Sequence, residues 1–506
     1  MILPTAEVVS HLTADIKSDH LISPPTTTPP DPIDRLHGNY TNLSERFKLR
    51  NKCFKRQYAP LYAARLAAMR PMLEAVARNK WFDVPQVQLN DLQQNKTCVI
   101  IGTVFKQMQL KPNILRELSE NVNLPPKPER KRYTHQSDVV FLEDETQRIS
   151  LVGDIETHET ITGTVICAKG KETAGGKFEV EDWSYCGLPA QLNNELTEPV
   201  SEDRYVAIIS GISLGDPQYD PMPLQLFVDL VTGQLGSLKD QTFYSKVVRL
   251  IVAGDSLSKH TRDSTTAKQA KYLTTKTKAA SISAAQELDD VLTQLVSCIF
   301  VDLMPGQYDP ASFSLPQQPL HRCIFPQAAQ YTSFQSVTNP YEADIDGISF
   351  LGTAGQNIHN IQQYTKLRDA VTIAETTLKC RHIAPTCPDT LGCYPYDEED
   401  PFILRDCPHV YFVGNQKRFG AKMSEGDQGQ KTLVVSVPKF FDSHQVVLVN
   451  LKDLSCFPVS VATLIGDDSV SMEKGGVADS DDDGEDEEVL PDVNILPDDE
   501  DMGDME

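Results

Sequence analysis

Phe300-Val301-Asp302-Leu303-Met304-Pro305-Gly306-Gln307-Tyr308-Asp309-Pro310 reads as a buried β-strand ending in a tight Pro-Gly turn. A short apolar run closed by such a turn is the pattern of a strand covered on both faces. Upstream of it, Ser283 and Gln286 form a capping box that opens a helix with the apolar face Leu288, Val291, Leu292 and Leu295. Two more continuous apolar runs lie further upstream, at 205–210 and 247–253, with a helix-like stretch at 224–232. Downstream, strands are expected at 348–351, 410–413, 432–437 and 446–450. Strand, helix and strand in succession, with unbroken apolar runs, predict an α/β domain over 200–464. Its sheet would be parallel or mixed and covered on both faces.

Between 83 and 190 the period changes to that of short strands. They are expected at 97–105, 138–142, 149–152, 161–168 and 177–184, with a hairpin around Glu143-Asp144-Glu145 and a turn at Gly175-Gly176. Five short strands with one irregular insertion, 113–132, predict a small closed barrel of the oligonucleotide-binding (OB) type. Such barrels bind single strands through basic and aromatic residues. Here Phe141, Phe178 and Trp183 stand against Glu143, Asp144, Glu179, Glu181 and Asp182, which favours protein packing over base stacking. Arg130-Lys131-Arg132, within the insertion, has the composition of a short nuclear import signal.

Ahead of the barrel, 43–82 reads as a helical segment from about residue 51. Phe54, Tyr58, Leu61, Tyr62, Leu66, Met69, Leu73 and Val76 recur at three- and four-residue steps. Pro60 and Pro71 predict a break or kink. The segment carries Lys48, Arg50, Lys52, Lys55, Arg56, Arg65 and Arg70, and two readings stand: a contact for DNA or a partner, or a solvated helix face. Residues 1–42, rich in Pro, Thr, Ser and Asp, are expected to be flexible and lack the apolar core of a signal peptide. So is the acidic tail 465–506, and 259–278, rich in Lys and Thr, is expected to be a surface loop.

The formal charge is −24 over 506 residues, but 18 acids and one lysine within 467–506 supply −17 of it and leave −7 for the rest. A mildly acidic body is a poor stand-alone binder of phosphate backbones. Eleven cysteines with no C-x-x-C pair argue for reduced thiols in a cytosolic or nuclear protein. No apolar run reaches the roughly 18 residues of a membrane span. The sequence contains neither a P-loop nor a G-x-S-x-G motif.

The strand-and-turn pattern is similar to that of dimetal phosphoesterases, which hold two cations about 4 Å apart on the loops after their strands. Their ligands run Asp-x-His, Gly-Asp-x-x-Asp, Gly-Asn-His, a lone His and Gly-His-x-His. Aligned by strand context, this chain has Gly211-Ile212-Ser213 in the first place, then Gly254-Asp255 with Ser258 in place of the later acid. Next come Gln307 and Tyr308, with Asp309 kept. No histidine falls within 352–355, and the last motif reads Gly414-Asn415-Gln416-Lys417. The former metal positions Gly211, Ser213, Asp255, Ser258, Gln307, Tyr308, Asn415 and Lys417 thus offer one acid, and Lys417 would repel a cation. No catalytic residue, metal or cofactor is expected. The alternatives are a surviving metal-dependent nuclease on Asp255, Asp309 and His359, or a single-strand-binding module. Cys380, His382, Cys387, Cys393, Cys407 and His409 contain enough donors for zinc, but their spacing is irregular and better suits scattered structural residues.

Several runs together resemble one family: Ser210-Gly211-Ile212-Ser213-Leu214-Gly215, Met304-Pro305-Gly306, Leu315-Pro316-Gln317-Gln318-Pro319-Leu320-His321, Phe350-Leu351-Gly352-Thr353-Ala354-Gly355-Gln356-Asn357 and Pro408-His409-Val410-Tyr411-Phe412-Val413-Gly414-Asn415. They are similar to the B-type accessory subunits of the replicative DNA polymerases, most closely the delta branch, over about residues 43–461. The resemblance implies an OB-fold barrel packed on an inactivated calcineurin-like phosphoesterase domain, a two-layered sheet core with flanking helices. It implies a nuclear, non-catalytic scaffold for replication and repair, without membrane attachment. Its implied partners are the cysteine-rich C-terminal domain of the polymerase delta catalytic subunit and a third, regulatory subunit, with DNA touched only weakly or indirectly.

Overall fold

The computed structural model describes residues 33–50, 52–112, 130–191, 202–262 and 280–461. Most of the insertion at 113–132, most of the loop at 259–278 and the acidic tail lie outside the described residues. Structure begins earlier than composition predicts. The expected flexible segment 1–42 ends in a strand, β1 (Tyr40–Asn42), which pairs antiparallel with residues 343–345. Just before it, Arg35 donates to the carbonyls of Tyr244, Val247 and Val231.

Helix α1 (Ala59–Lys80) starts later than the periodicity suggests. Pro60 lies in its first turn, where a missing N–H costs nothing, and the helix continues across Pro71. Phe54 and Tyr58 precede it. The Phe54 ring meets Tyr394 edge-on at 5.3 Å, and the Tyr58 hydroxyl donates to the Cys393 carbonyl at 2.8 Å.

The five barrel strands are β2 (Thr97–Gln107), β3 (Val139–Glu143), β4 (Arg148–Gly153), β5 (Val165–Glu172) and β6 (Lys177–Ser184). They close in the order β2-β3-β4-β6-β5. The β3–β4 hairpin forms as expected, because Asp144 accepts from the backbone N–H of Thr146 and Gln147 and fixes the turn. β5 begins at 165 rather than 161, since Thr164 turns back to the Ile161 carbonyl. Ile100, Val104, Leu142, Ile166, Phe178 and Val180 fill the interior. The opposite face of β2 and β5, with Val99, Ile101, Val165 and Cys167, lies under Leu66, Met69, Leu73 and Ala77 of α1. Phe178 is therefore core and cannot stack on a base.

The rest of the chain alternates strand and helix: β7 (Tyr205–Ile209), α2 (Pro221–Val231), α3 (Leu238–Tyr244), β8 (Val247–Ala253), α4 (Ala280–Val296), β9 (Phe300–Met304), β10 (Phe334–Ser336), β11 (Tyr341–Ile345), β12 (Ile348–Thr353), α5 (Gln356–Tyr364), α6 (Ala370–Lys379), β13 (Val410–Gln416), β14 (Gly420–Glu425), β15 (Lys431–Pro438), α7 (Phe440–Ser443), β16 (Gln445–Asn450) and β17 (Cys456–Ser460). Ser283 lies inside α4, so it caps nothing; the expected face holds, with Leu288, Leu292 and Leu295 buried.

These strands make two mixed six-stranded sheets, β1-β11-β12-β13-β15-β14 and β10-β9-β8-β7-β16-β17. Val206, Ile208, Ile251 and Ala253 of one sheet meet Ala343, Phe350, Phe412 and Val435 of the other. Helices α2 and α4 cover the outer face of the second sheet, and α5 and α6 that of the first. Both faces of each central strand are buried, which is why their sequences are continuously apolar.

One buried ion pair interrupts the intersheet core. Asp302 of β9 accepts from Arg249 at 2.6 Å and from the Tyr341 hydroxyl at 2.6 Å, and the Arg249 guanidinium lies 3.5 Å over the Tyr40 ring of β1. Tyr341→Phe would leave the buried Asp302 one donor short, and is expected to lower stability by about 1–3 kcal/mol; denaturant titration of the pair checks it. Among the described residues no helix is long and apolar enough to cross a membrane.

Candidate functional site

The carboxyl ends of β7, β8, β9, β12 and β13 converge on one face. The Gly211 N–H donates to the Gly254 carbonyl at 3.0 Å and Ser213 N–H to the Asp255 carbonyl at 3.1 Å. Tyr308 N–H reaches the Asp255 carboxylate at 3.1 Å. The Asn415 amide donates to the carbonyls of Ala354 at 2.9 Å and Ala253 at 3.3 Å. Positions 211, 213, 255, 258, 307, 308 and 415, aligned from sequence on separate strands, are thus brought together in space.

The approach is close enough to dictate residue type. A Cβ on Gly306 would sit 2.1 Å from the Asp255 nitrogen, so only glycine fits there. Gly211, Ser213, Gly254, Asp255, Gly355 and Asn415 all have φ between 52° and 91°. Left-handed backbone at non-glycine residues is strained, and its concentration at one set of strand ends marks a built site.

The two acids differ. Asp309 is wholly buried, and its oxygens accept from the N–H groups of Gly306 at 2.8 Å, Leu257 at 2.9 Å and Ser256 at 3.3 Å. It ties the β8 and β9 loops together. Burial, and then the neighbouring Asp309, push the Asp255 carboxyl up to about 7. Ser258 donates to Asp216 at 2.9 Å, pointing its hydroxyl away from Asp255. Lys417 is exposed at the rim. The His359 ring on α5 is partly at the surface; partial desolvation, then the nearby charges of Lys439 and Lys417, lower its pKa.

Of the cysteine and histidine residues of 380–409, Cys387 and Cys393 lie within side-chain hydrogen-bond reach of each other, and the other four each have separate partners. Cys380 donates to the Thr377 carbonyl, His382 contacts Asp400 at 2.9 Å, Cys407 meets Thr432, and His409 meets Ser349 at 2.7 Å. Among the described residues no group of three or more His, Cys, Asp or Glu side chains is placed to hold a metal ion.

The basic residues before and along α1 are mostly paired. Lys48 and Arg50 bond Glu45, Arg56 bonds Asp397, and Arg70 bonds Glu145. Arg65 is fully buried. Its guanidinium bonds Asp400 at 2.8 Å and the carbonyls of Gly163, Pro385 and Cys387 at 3.0, 2.9 and 2.7 Å. Arg65 joins the barrel to the two-sheet domain, a role that sequence reasoning missed because both partners are remote in the chain.

A helix-packed barrel beside a two-sheet domain defines the class. The profile of the DNA polymerase delta subunit OB-fold domain matches residues 57–183, and that of the B subunit of DNA polymerase alpha/epsilon matches 206–421. The chain is 40% identical over 432 residues to the DNA polymerase delta small subunit of Oryza sativa subsp. japonica, covering 85% of this chain and 99% of that one. It is 40% identical over 429 residues to DNA polymerase delta subunit 2 of Drosophila melanogaster, covering 84% and 97%. To the small subunit of Saccharomyces cerevisiae it is 29% identical over 479 residues, covering 84% and 94%. The chain belongs to the family of DNA polymerase delta small subunits, accessory rather than catalytic subunits of a replicative polymerase.

Proposed function

We propose that the chain is a non-catalytic scaffold of a nuclear DNA polymerase delta, acting in replication and repair, and that its strand-end site is a phosphoesterase centre stripped of metal chemistry. It would bridge the cysteine-rich C-terminal domain of the catalytic subunit to the third, regulatory subunit.

The donor set at the strand ends carries the reading. A pair of divalent cations needs several carboxylates and neutral imidazoles aimed at one point. Here Asp309 spends both oxygens on backbone N–H groups, which leaves Asp255 as the one other buried carboxylate at the strand ends among the described residues. Gly211, Ser213, Ser258, Gln307, Tyr308, Asn415 and Lys417 supply no further anion or imidazole. His359, the ligand that a surviving nuclease would borrow, lies beside Lys417 and Lys439. These residues do not fit a metal pair. What is left is a rigid body of two sheets and a barrel with wide surfaces for partners.

Co-expression with the catalytic subunit's C-terminal domain and the third subunit tests this. A ternary complex that survives gel filtration at micromolar concentration is expected. Separate elution would overturn the scaffold, and manganese-dependent cleavage of single-stranded DNA, lost in Asp255→Ala, would overturn the inactive site.

A further inference from the structure

We propose that a basic track running along α5, from the rim of the strand-end site to residues 130–137 ahead of β3, binds the phosphate backbone of single-stranded nucleic acid without reading its sequence.

Four chain segments build the track: 130–137, 347–368 and 407–424 contain no Asp or Glu, and the fourth supplies Lys439, with Asp442 three residues on. At the amino end of α5, the Asn415 amide bonds the Ala354 carbonyl and Lys439 N–H bonds the Gln416 carbonyl. These contacts hold Lys417 and Lys439 beside the first turn, whose Gly355 N-cap offers no side-chain cap. The helix dipole adds positive potential there. At the other end, Tyr133 N–H bonds the Gln363 carbonyl at 2.9 Å and its ring stacks on Tyr364 at 4.9 Å. That anchors the exposed Arg130 and Lys131 beside Lys366, whose own N–H bonds the His158 carbonyl at 2.8 Å.

Among the described residues Lys366, Lys417 and Lys439 have no ion-pair partner, whereas the bases beside α1 mostly do. Of the nearby acids, Asp309 is buried, Asp255 is buried and faces Lys439, and Asp389 pairs with Lys111, while Glu156 near His158 is exposed. Asp442, just past Lys439, is the exposed acid at that end. Nine helical residues span about 13 Å, the reach of a few successive phosphates. The body as a whole is acidic, so an acid-free, base-bearing strip is a local exception that fits a polyanion. The few contacts available predict weak, steeply salt-dependent binding.

The test is fluorescence anisotropy of the full chain with labelled oligothymidylate, from about 50 to about 200 mM salt. Lys366→Ala/Lys417→Ala/Lys439→Ala is expected to weaken binding about tenfold or more and to make the log–log salt slope shallower by about 2. Lys52→Ala/Lys55→Ala, changed on the segment before α1, should bind like the parent. All three alanine sites are on or near the surface, so an unchanged melting temperature confirms the fold. Equal affinity and slope in the triple variant would overturn the proposal. So would a polyglutamate peptide that binds as tightly as the oligonucleotide, because the track would then be a seat for an acidic protein.

Discussion

Arg65→Ala is expected to lower stability by about 3–5 kcal/mol, because it strands a buried carboxylate. The guanidinium is fully buried and saturates four acceptors: Asp400, two carbonyls of the same loop region, and Gly163 at the edge of the barrel. Burial opposes ionisation of Asp400, yet His382 and Arg65 beside it hold its carboxyl well below the usual range. Removing the arginine leaves that charge with His382, which burial and then Arg65 have pushed down to about 4. Arg65→Lys keeps the charge but loses the planar fork, so it should recover only part of the loss. Denaturant titrations of the three proteins decide the matter, and a change under about 1 kcal/mol in the alanine variant would refute it. The same histidine sets an acid limb. Neutral in the folded state and protonated in the unfolded chain below pH 6.5, it contributes stability that is complete above that pH and lost as the pH falls toward 4.

Asp255→Asn should act in the opposite direction. Its carboxyl titrates near 7 when folded against 3.8 in the unfolded chain. Below about pH 4 both states are neutral and the residue is silent. Between 4 and 7 the unfolded chain ionises first, so stability falls as pH rises, and above 7 the whole penalty of a buried charge remains. Asparagine keeps the shape and an acceptor for Tyr308 N–H while removing the charge. The variant is expected to be more stable by on the order of 2–4 kcal/mol at pH 8 and nearly unchanged at pH 4. Melting curves at both values, with and without manganese, check this. A parent that manganese stabilises, beside a variant it does not, would restore a working metal site.

Much of this architecture was legible in the sequence. The run 300–304 is apolar because both faces of β9 are covered, and the glycine at 306 is forced by the backbone crossing above it. The β3–β4 hairpin announced itself through Asp144. The strand ends that carry Gly211, Asp255, Gln307 and Asn415 were readable because apolar runs and turns encode them locally. What escaped was non-local. Tyr40-Thr41-Asn42 has no strand pattern of its own and pairs because β11 offers an edge. Arg65 looked like one base among seven on a helix, since nothing near it in sequence signals Asp400. Ser283 looked like a cap, but α4 already runs through it. The cations around α5 come from four distant segments, each unremarkable by itself.

The three residues of β1 also act as a guard. Without them the long margin of β11 would present bare amide and carbonyl groups, an open invitation for a second molecule to add its own strand. A chain trimmed at residue 43, where composition alone would place the start of order, is therefore one that sticks to itself.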